Sequence, residues 1–344
     1  MKRPITLVTG FLGSGKTTLL RHLLGGPEAR HTAVLVNEFG EIGLDHHLLQ
    51  RLDEQTILLG GGCVCCMIRD DLVRALTDLL DRDQQGAIPR LKHIVIETTG
   101  LADPAPILFT VVTHPMLQHH FDIAGVVATV DAVNGQRHLD HHPESLKQVA
   151  SADKVILTKT DLAQPGTVQA LRVRLQTINP TARFITAVFG QVEARQVLDC
   201  RDCHTSVARP ARVSKTAPVT DLEASGAQSS HGAEIRSLAL SFTRPLDWSA
   251  FSVWLSMLLH ARGEDVLRVK GLLNVGAAGP VVLHGVQHIM HAPEHLQYWP
   301  DADHRSHLVF ILRAIEPHHI VRSLQAFQHL LGSAPQVDDT DLHR

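Results

Sequence analysis

A doubly wound, mostly parallel α/β domain followed by a smaller α+β domain is the fold class the sequence predicts. Three observations predict it. Short apolar runs recur through the first two hundred residues, rich in Val and Ile with little polar alternation, as strands buried on both faces of a parallel sheet require. Helical-period stretches lie between them. A break in composition then divides the chain, and the order of strands and helices changes beyond it. With 344 residues the chain also exceeds the roughly 250–300 at which a single core stops growing.

In order, strands are expected at 5–9 (ITLVT), 32–37 (TAVLVN), 93–97 (HIVIE), 124–130 (AGVVATV), 154–158 (KVILT) and 183–187 (RFITA). Helices are expected at 17–24, 70–80 and 167–178. The first domain is assigned to 1–206. Residues 207–233 turn to Ala, Ser, Thr, Pro and Gln and read as an exposed linker. The second domain, 234–344, gives a strand at 235–242, an amphipathic helix at 248–260, strands at 266–275, 280–290 and 307–314, and a helix at 317–331. Three consecutive strands make it α+β. His284, His288, His291 and His295 would form a stripe on a helix. The β-branched flank and Pro293 favour a strand instead, with His284 and His288 on one face and His291 on the other. The closing residues 336–344 read as a frayed tail.

Composition excludes several classes. Hydrophobic residues make up 44% and charged residues 19%, an ordinary globular balance. A net charge of −3 gives no footprint for nucleic acid or for an anionic membrane surface. No apolar run approaches the ~18 residues that span a bilayer. The opening MKRPITLVTGFLG has the look of a secretory signal, but glycines and Lys16 interrupt it, so a cytosolic location is expected. Clustered thiols there are more often metal ligands or redox groups than disulfides. Of 24 histidines, nine fall between His284 and His329, with no diagnostic spacing.

Gly10 to Thr17, GFLGSGKT, matches the P-loop pattern and lies where a strand opens into a helix. Backbone N–H groups across Gly10, Gly13, Ser14 and Gly15 must close around phosphates, and glycine permits that approach without a Cβ clash. Lys16 supplies charge to the β and γ phosphates, and the Thr17 hydroxyl is a Mg²⁺ ligand. Thr18, next in the helix, packs there and is kept among the nucleotide candidates. Glu97 at the end of HIVIE offers a carboxylate for Mg²⁺, and Gly100 an N–H for the γ-phosphate; the alternative for Glu97 is a cap on the next helix. After a later strand, Thr158, Lys159 and Asp161 approximate the Asn-Lys-x-Asp pattern of guanine readers, with Asp161 accepting from the base N1–H and N2–H₂. Its alternative is also a helix cap.

Cys63, Cys65 and Cys66 fall within four positions of a glycine-rich stretch. Structural burial, a redox pair and a thiolate metal site compete to explain them. The metal site is favoured: three thiolates so close converge on one ion, and the spacing is not Cys-x-x-Cys.

The segments TGFLGSGKTTLLRHLL, NEFGEIGLD, GGCVCC, VIETTGLADPAPI, VDAV and LTKTDL occur in the order found in the CobW-like family of P-loop metal-chaperone GTPases, which the chain resembles over nearly its whole length. LRVKGLLNV, GVQHI and HLVFI resemble the family's C-terminal domain. The resemblance implies GTP-dependent delivery of Zn²⁺, or Co²⁺, to a client metalloprotein, with Cys63, Cys65 and Cys66 as ligands. It assigns Glu38 to Mg²⁺ or water positioning and Glu41 to an accessory place at the metal. His114 matches a position near metal in some relatives, or is a helix-end histidine. The family's second domain often carries a histidine-rich tract; this chain has scattered histidines. Cys200, Cys203 and His204 form either a second, weaker metal site or exposed loop thiols. Slow intrinsic hydrolysis is expected, raised by a client or by homodimer formation, since the switch segments lack an arginine finger. A P-loop ATPase or small-molecule kinase, and a nucleotide-stabilised metal buffer, are the rival readings.

Overall fold

The computed structural model describes residues 2–26, 30–37, 56–59, 65–199 and 235–337. Seven strands form the first sheet: β1 (Arg3–Gly10), β2 (Thr32–Asn37), β3 (Thr56–Leu59), β4 (His93–Glu97), β5 (Phe121–Asp131), β6 (Lys154–Thr158) and β7 (Arg183–Ala187). They lie in the order β3-β2-β4-β1-β5-β6-β7, every pairing parallel. Six of them are the runs expected from sequence. β3 is the addition, a four-residue edge strand too short to stand out.

Helices α1 (Lys16–Leu24), α2 (Cys65–Gln84), α3 (Ala105–Thr113), α4 (Pro115–His120), α5 (Gly135–His141), α6 (Pro143–Ser151), α7 (Pro165–Ile178) and α8 (Ala194–Leu198) connect the strands. Alternate strand residues feed two cores. Ile5, Leu7, Ala33, Leu35, Ile94 and Ile96 pack with α2 and α3, whereas Val8, Val34, Val36, Val95 and Ile156 pack with α1. With apolar partners on both faces, the inner strands have no solvent side to alternate toward; the edge strand β7 departs from the expected pattern, with only Ala187 buried.

The second sheet is antiparallel. It comprises β8 (Ile235–Phe242), β9 (Val266–Leu273), β10 (Val281–Val286), β11 (Ile289–Met290), β12 (Glu294–His295), β13 (Ser306–Arg313) and β14 (Gln336–Val337), in the order β11-β10-β9-β13-β8-β14 with β12 on β10. Helices α9 (Trp248–Arg262) and α10 (Pro317–Leu331) bury Phe251, Trp254, Leu255, Ile320 and Leu324 against Leu240, Val269 and Phe310. Two expectations change. Residues 280–290 are not one strand, because the backbone reverses at Gln287 (φ 53) to make the β10–β11 hairpin, which leaves His288 in the turn. The expected tail begins as β14, paired to β8 through Gln336 and Ser241.

The two sheets share an apolar boundary. Val286 and Ile289 from the hairpin enter the core built on α2 and α3. Leu267 and Ile311 join the cluster that includes Val149, Leu171 and Leu175 of α6 and α7. A buried ion pair also crosses it: Arg268 of β9 donates to Asp153, which precedes β6, and to the Ser151 carbonyl. Burial alone would raise the Asp153 carboxyl, but Arg268, Lys270, His284 and the Val126 N–H outweigh it and hold it well below the carboxylate range. No helix among the described residues is long and apolar enough to cross a membrane. The expected linker at 207–233 lies outside the described residues.

Candidate functional site

The GFLGSGKT loop leaves the carboxyl end of β1, in the middle of the first sheet. Gly10 has φ 140, and a Cβ there would sit 2.3 Å from Thr129 Oγ1 and 2.5 Å from the Thr129 carbonyl, so the approach of β5 admits only glycine. Gly13 and Gly15 carry left-handed backbone, at φ 69 and φ 94. Two hydroxyls brace the loop from its β5 and β6 side. Ser14 Oγ and Thr129 Oγ1 are 2.7 Å apart, and Thr158 Oγ1 donates to the Ser14 carbonyl at 2.7 Å. Thr158 thus ties the expected base segment to the phosphate loop.

The Lys16 ammonium is buried and donates to the carbonyls of Gly10 (2.8 Å) and Phe11 (3.2 Å). Burial pulls its pKa down, partly offset by the Glu97 charge. Thr17 Oγ1 donates to Glu97 Oε1 at 3.2 Å, across strands whose register sets Val8 beside Glu97. Thr18 is exposed rather than packed. The capping alternative for Glu97 fails, since α3 opens at Pro104 without a side-chain cap, and the side chain that accepts from its first N–H, Ala105 N, is Asp103 Oδ1 at 3.0 Å. Gly100 lies against the P-loop: a Cβ there would meet Leu12 N at 2.6 Å. Gln148 Nε2 donates to the Gly100 and Ala102 carbonyls, both at 3.1 Å.

On the base side, Lys159 adopts φ 55 and donates to Asp131 Oδ2 at 2.8 Å. Asp131 also accepts from Val133 N (2.7 Å), Asn134 N (3.2 Å) and Asn134 Nδ2 (3.1 Å). Burial pushes the Asp131 carboxyl up, but the Lys159 bond and these N–H donors prevail and hold it low. Asp161 is exposed on the following turn, and α7 begins after Gln164 without a side-chain cap, so Asp161 is not serving that helix. Sequence reasoning missed Asp131, Thr129 and Gln148. Asp131 had a signal, a carboxylate ending a buried strand; Thr129 and Gln148 had none.

The structure places the cysteine motif only in part. Cys65 and Cys66 are the first residues of α2, which follows β3 and so begins on the same sheet edge as the P-loop, three strand spacings of about 4.8 Å from β1. Their side chains, and all of Cys63, Glu38, Glu41, Cys200, Cys203 and His204, lie outside the described residues. His114 is not brought to that edge. It caps the far end of α3, two residues from Met116, whose sulfur meets Thr77 of α2 at 3.7 Å. Thr77 is 12 residues along α2 from Cys65, which at 1.5 Å per residue is about 18 Å. Among the described residues, no three His, Cys, Asp or Glu side chains are grouped to hold a metal.

Residues 4–186 match the CobW/HypB/UreG nucleotide-binding domain, and residues 235–328 match the cobalamin synthesis protein CobW C-terminal domain. The chain is 35% identical to the zinc chaperone YjiA of Escherichia coli over 308 residues, 89% of this chain and 93% of that protein. It is 30% identical to the zinc chaperone CobW of a Sinorhizobium species, over 80% of this chain and 82% of the relative. The crystal structure of the Zn(II)-bound YjiA GTPase from E. coli superposes with a TM-score of 0.69 at 28% identity, covering 95% of this chain and 99% of that one. A phosphate loop on β1, a strand-end carboxylate beside it and both matched domains make this chain a member of the CobW/HypB/UreG family.

Proposed function

We propose that the chain is a GTP-hydrolysing metallochaperone of the cytoplasm that carries Zn²⁺ on Cys63, Cys65 and Cys66 and delivers it to a client metalloprotein. The observation that carries the reading is the placement of the Thr17–Glu97 pair and Lys16 on the sheet edge where Cys65 opens α2. A hydroxyl and a carboxylate 3.2 Å apart are an all-oxygen donor set, which suits Mg²⁺. Thr17 would hold that ion, with Glu97 in contact directly or through water and Glu38 joining from its motif; bound there, it neutralises phosphate charge. Gly100 offers its N–H to the γ-phosphate, and Lys16 exchanges the Gly10 and Phe11 carbonyls for phosphate oxygens. Asp161 reads the guanine edge, while Asp131 fixes Lys159 beside it. Glu41 is accessory at the zinc. Residues 207–233 tether the two domains. Three thiolates also accept Co²⁺, so the metal preference is set by supply as well as by ligand type.

The coupling of metal to nucleotide is the testable core. Competition titrations of Zn²⁺ against a coloured chelator, with Mg²⁺ and either a GTP analogue or GDP, should give affinities that differ by about 5- to 150-fold, the usual range of coupling between two sites. The tighter state should be lost in Cys65→Ala. Equal affinities in both nucleotide states would remove delivery from the proposal and leave a GTPase beside a buffering site. Hydrolysis should be slow alone and rise with client or with self-association; a rate indifferent to both contradicts that part.

A further inference from the structure

We infer that Gln287, in the turn of the β10–β11 hairpin, is a positioning residue for the segment that follows β4, and that through it the second domain biases which nucleotide is preferred. The inference rests on the nucleotide reading above, in which Gly100 answers to the γ-phosphate.

Gly100 touches the P-loop at Leu12, and three residues later Asp103 Oδ1 accepts from Ala105 N at the start of α3. The second carboxylate oxygen of Asp103 accepts from Lys147 Nζ at 3.2 Å and from Gln287 Nε2 at 3.1 Å. Segment 100–103 is therefore held by two bodies. Lys147 and Gln148 of α6 grip it from within the first domain, and Gln287 grips it from the second.

The hairpin that presents Gln287 is itself fixed. Val286 and Ile289 on either side are buried in the first domain's core. The His288 ring meets Phe109 of α3 edge-on at 5.6 Å between centroids. Gln287 is only 7% exposed, and its backbone N–H donates to the Leu267 carbonyl at 3.3 Å. Its backbone is left-handed, at φ 53. Glycine would hold that conformation without strain, and asparagine tolerates it, yet the residue present is one whose side chain reaches Asp103.

Movement of Gly100 toward or away from bound phosphate acts on Asp103 through only two intervening residues. The Gln287–Asp103 bond therefore has different strength in the two nucleotide states, and by linkage it favours one of them.

The test uses the full chain and a fluorescent GTP analogue and GDP, each with Mg²⁺, on wild type, Gln287→Glu and Gln287→Gly, with thermal unfolding of each. Glutamate sets a second carboxylate against Asp103; glycine removes the bond while relieving the backbone. Both should shift the ratio of GTP-analogue to GDP affinity by about 3- to 10-fold, the scale of one hydrogen bond. A ratio within twofold of wild type in both single variants, whatever happens to Tm, overturns the inference and leaves Gln287 a structural residue beside an intact nucleotide site. Wild type that binds neither nucleotide overturns the nucleotide reading, and this inference with it.

Discussion

Asp131 shows how much of this site depends on one residue that contacts no motif glycine. Its carboxylate holds the Lys159 ammonium and three N–H donors of the next turn, so Asp131→Ala leaves the lysine without that partner beside the expected base site. Hydrogen bonds to charged groups contribute about 1.5–3 kcal/mol. Calorimetry with GDP should therefore show affinity falling by about 10-fold or more. The pH dependence follows from the direction of the shift. A carboxyl depressed in the folded state contributes stability that is fully present above its unfolded value near ~3.9 and is lost as pH falls through the folded value. Stability should be flat in this respect from about pH 5 upward, and Asp131→Asn should flatten the acid limb. In the sequence, Lys16, Thr17, Glu97 and Gly100 were readable because each stands at a fixed offset within a motif. Asp131 stood in the VDAV segment at a strand end, but its role was not readable there because it depends on a lysine 28 residues away.

At the scale of elements, the segment from Glu97 to α3 is where the site can change shape. Gly100 has ordinary backbone but no room for a side chain, with Leu12 N 2.6 Å from where a Cβ would lie. Gly100→Ala must push this segment off the P-loop, an overpacking cost of about 1–3 kcal/mol. GTP-analogue affinity should fall toward that of GDP while GDP affinity changes little; equal losses for both would show that the segment does not sense the third phosphate. The inner strands of the first sheet were legible because burial on both faces writes itself as uninterrupted Val and Ile; β7, with only Ala187 buried, was legible only from its short aromatic and β-branched run. The α3–α6 run was not anticipated: residues 105–113 are apolar on nearly every side, and the helices after them are only 6, 7 and 9 residues long, too short to display a period. The break at Gln287 was hidden for a different reason. Neither glycine nor proline marks the reversal, so only the register of β10 with β11 reveals it.

For the whole molecule, the boundary between the two sheets is as buried as either core, and it contains a charge pair that breaks badly. Removing one member of a buried ion pair costs about 3–5 kcal/mol because the other is left uncompensated. In Asp153→Asn the Arg268 and Lys270 charges would lose their anion. Calorimetric unfolding should be a single transition in wild type and should drop and split in this variant, as the halves come apart before either melts. A single unsplit transition at the wild-type temperature would show that the boundary contributes nothing to cooperativity. The bracing of the phosphate loop has a mechanical consequence. Its hydroxyl anchors, Thr129 and Thr158, stand on β5 and β6, whereas toward β4 the loop meets a threonine–carboxylate contact and the bare backbone of Gly100. That asymmetry leaves the loop itself more heavily anchored on its base side, while on the other flank the Thr98 hydroxyl reaches Thr9 of β1, at 2.9 Å. The base side is bolted to the phosphate loop, so loss of a third phosphate should register first in the segment after β4, on the half of the sheet that leads through β2 to β3 and to the helix that opens with Cys65.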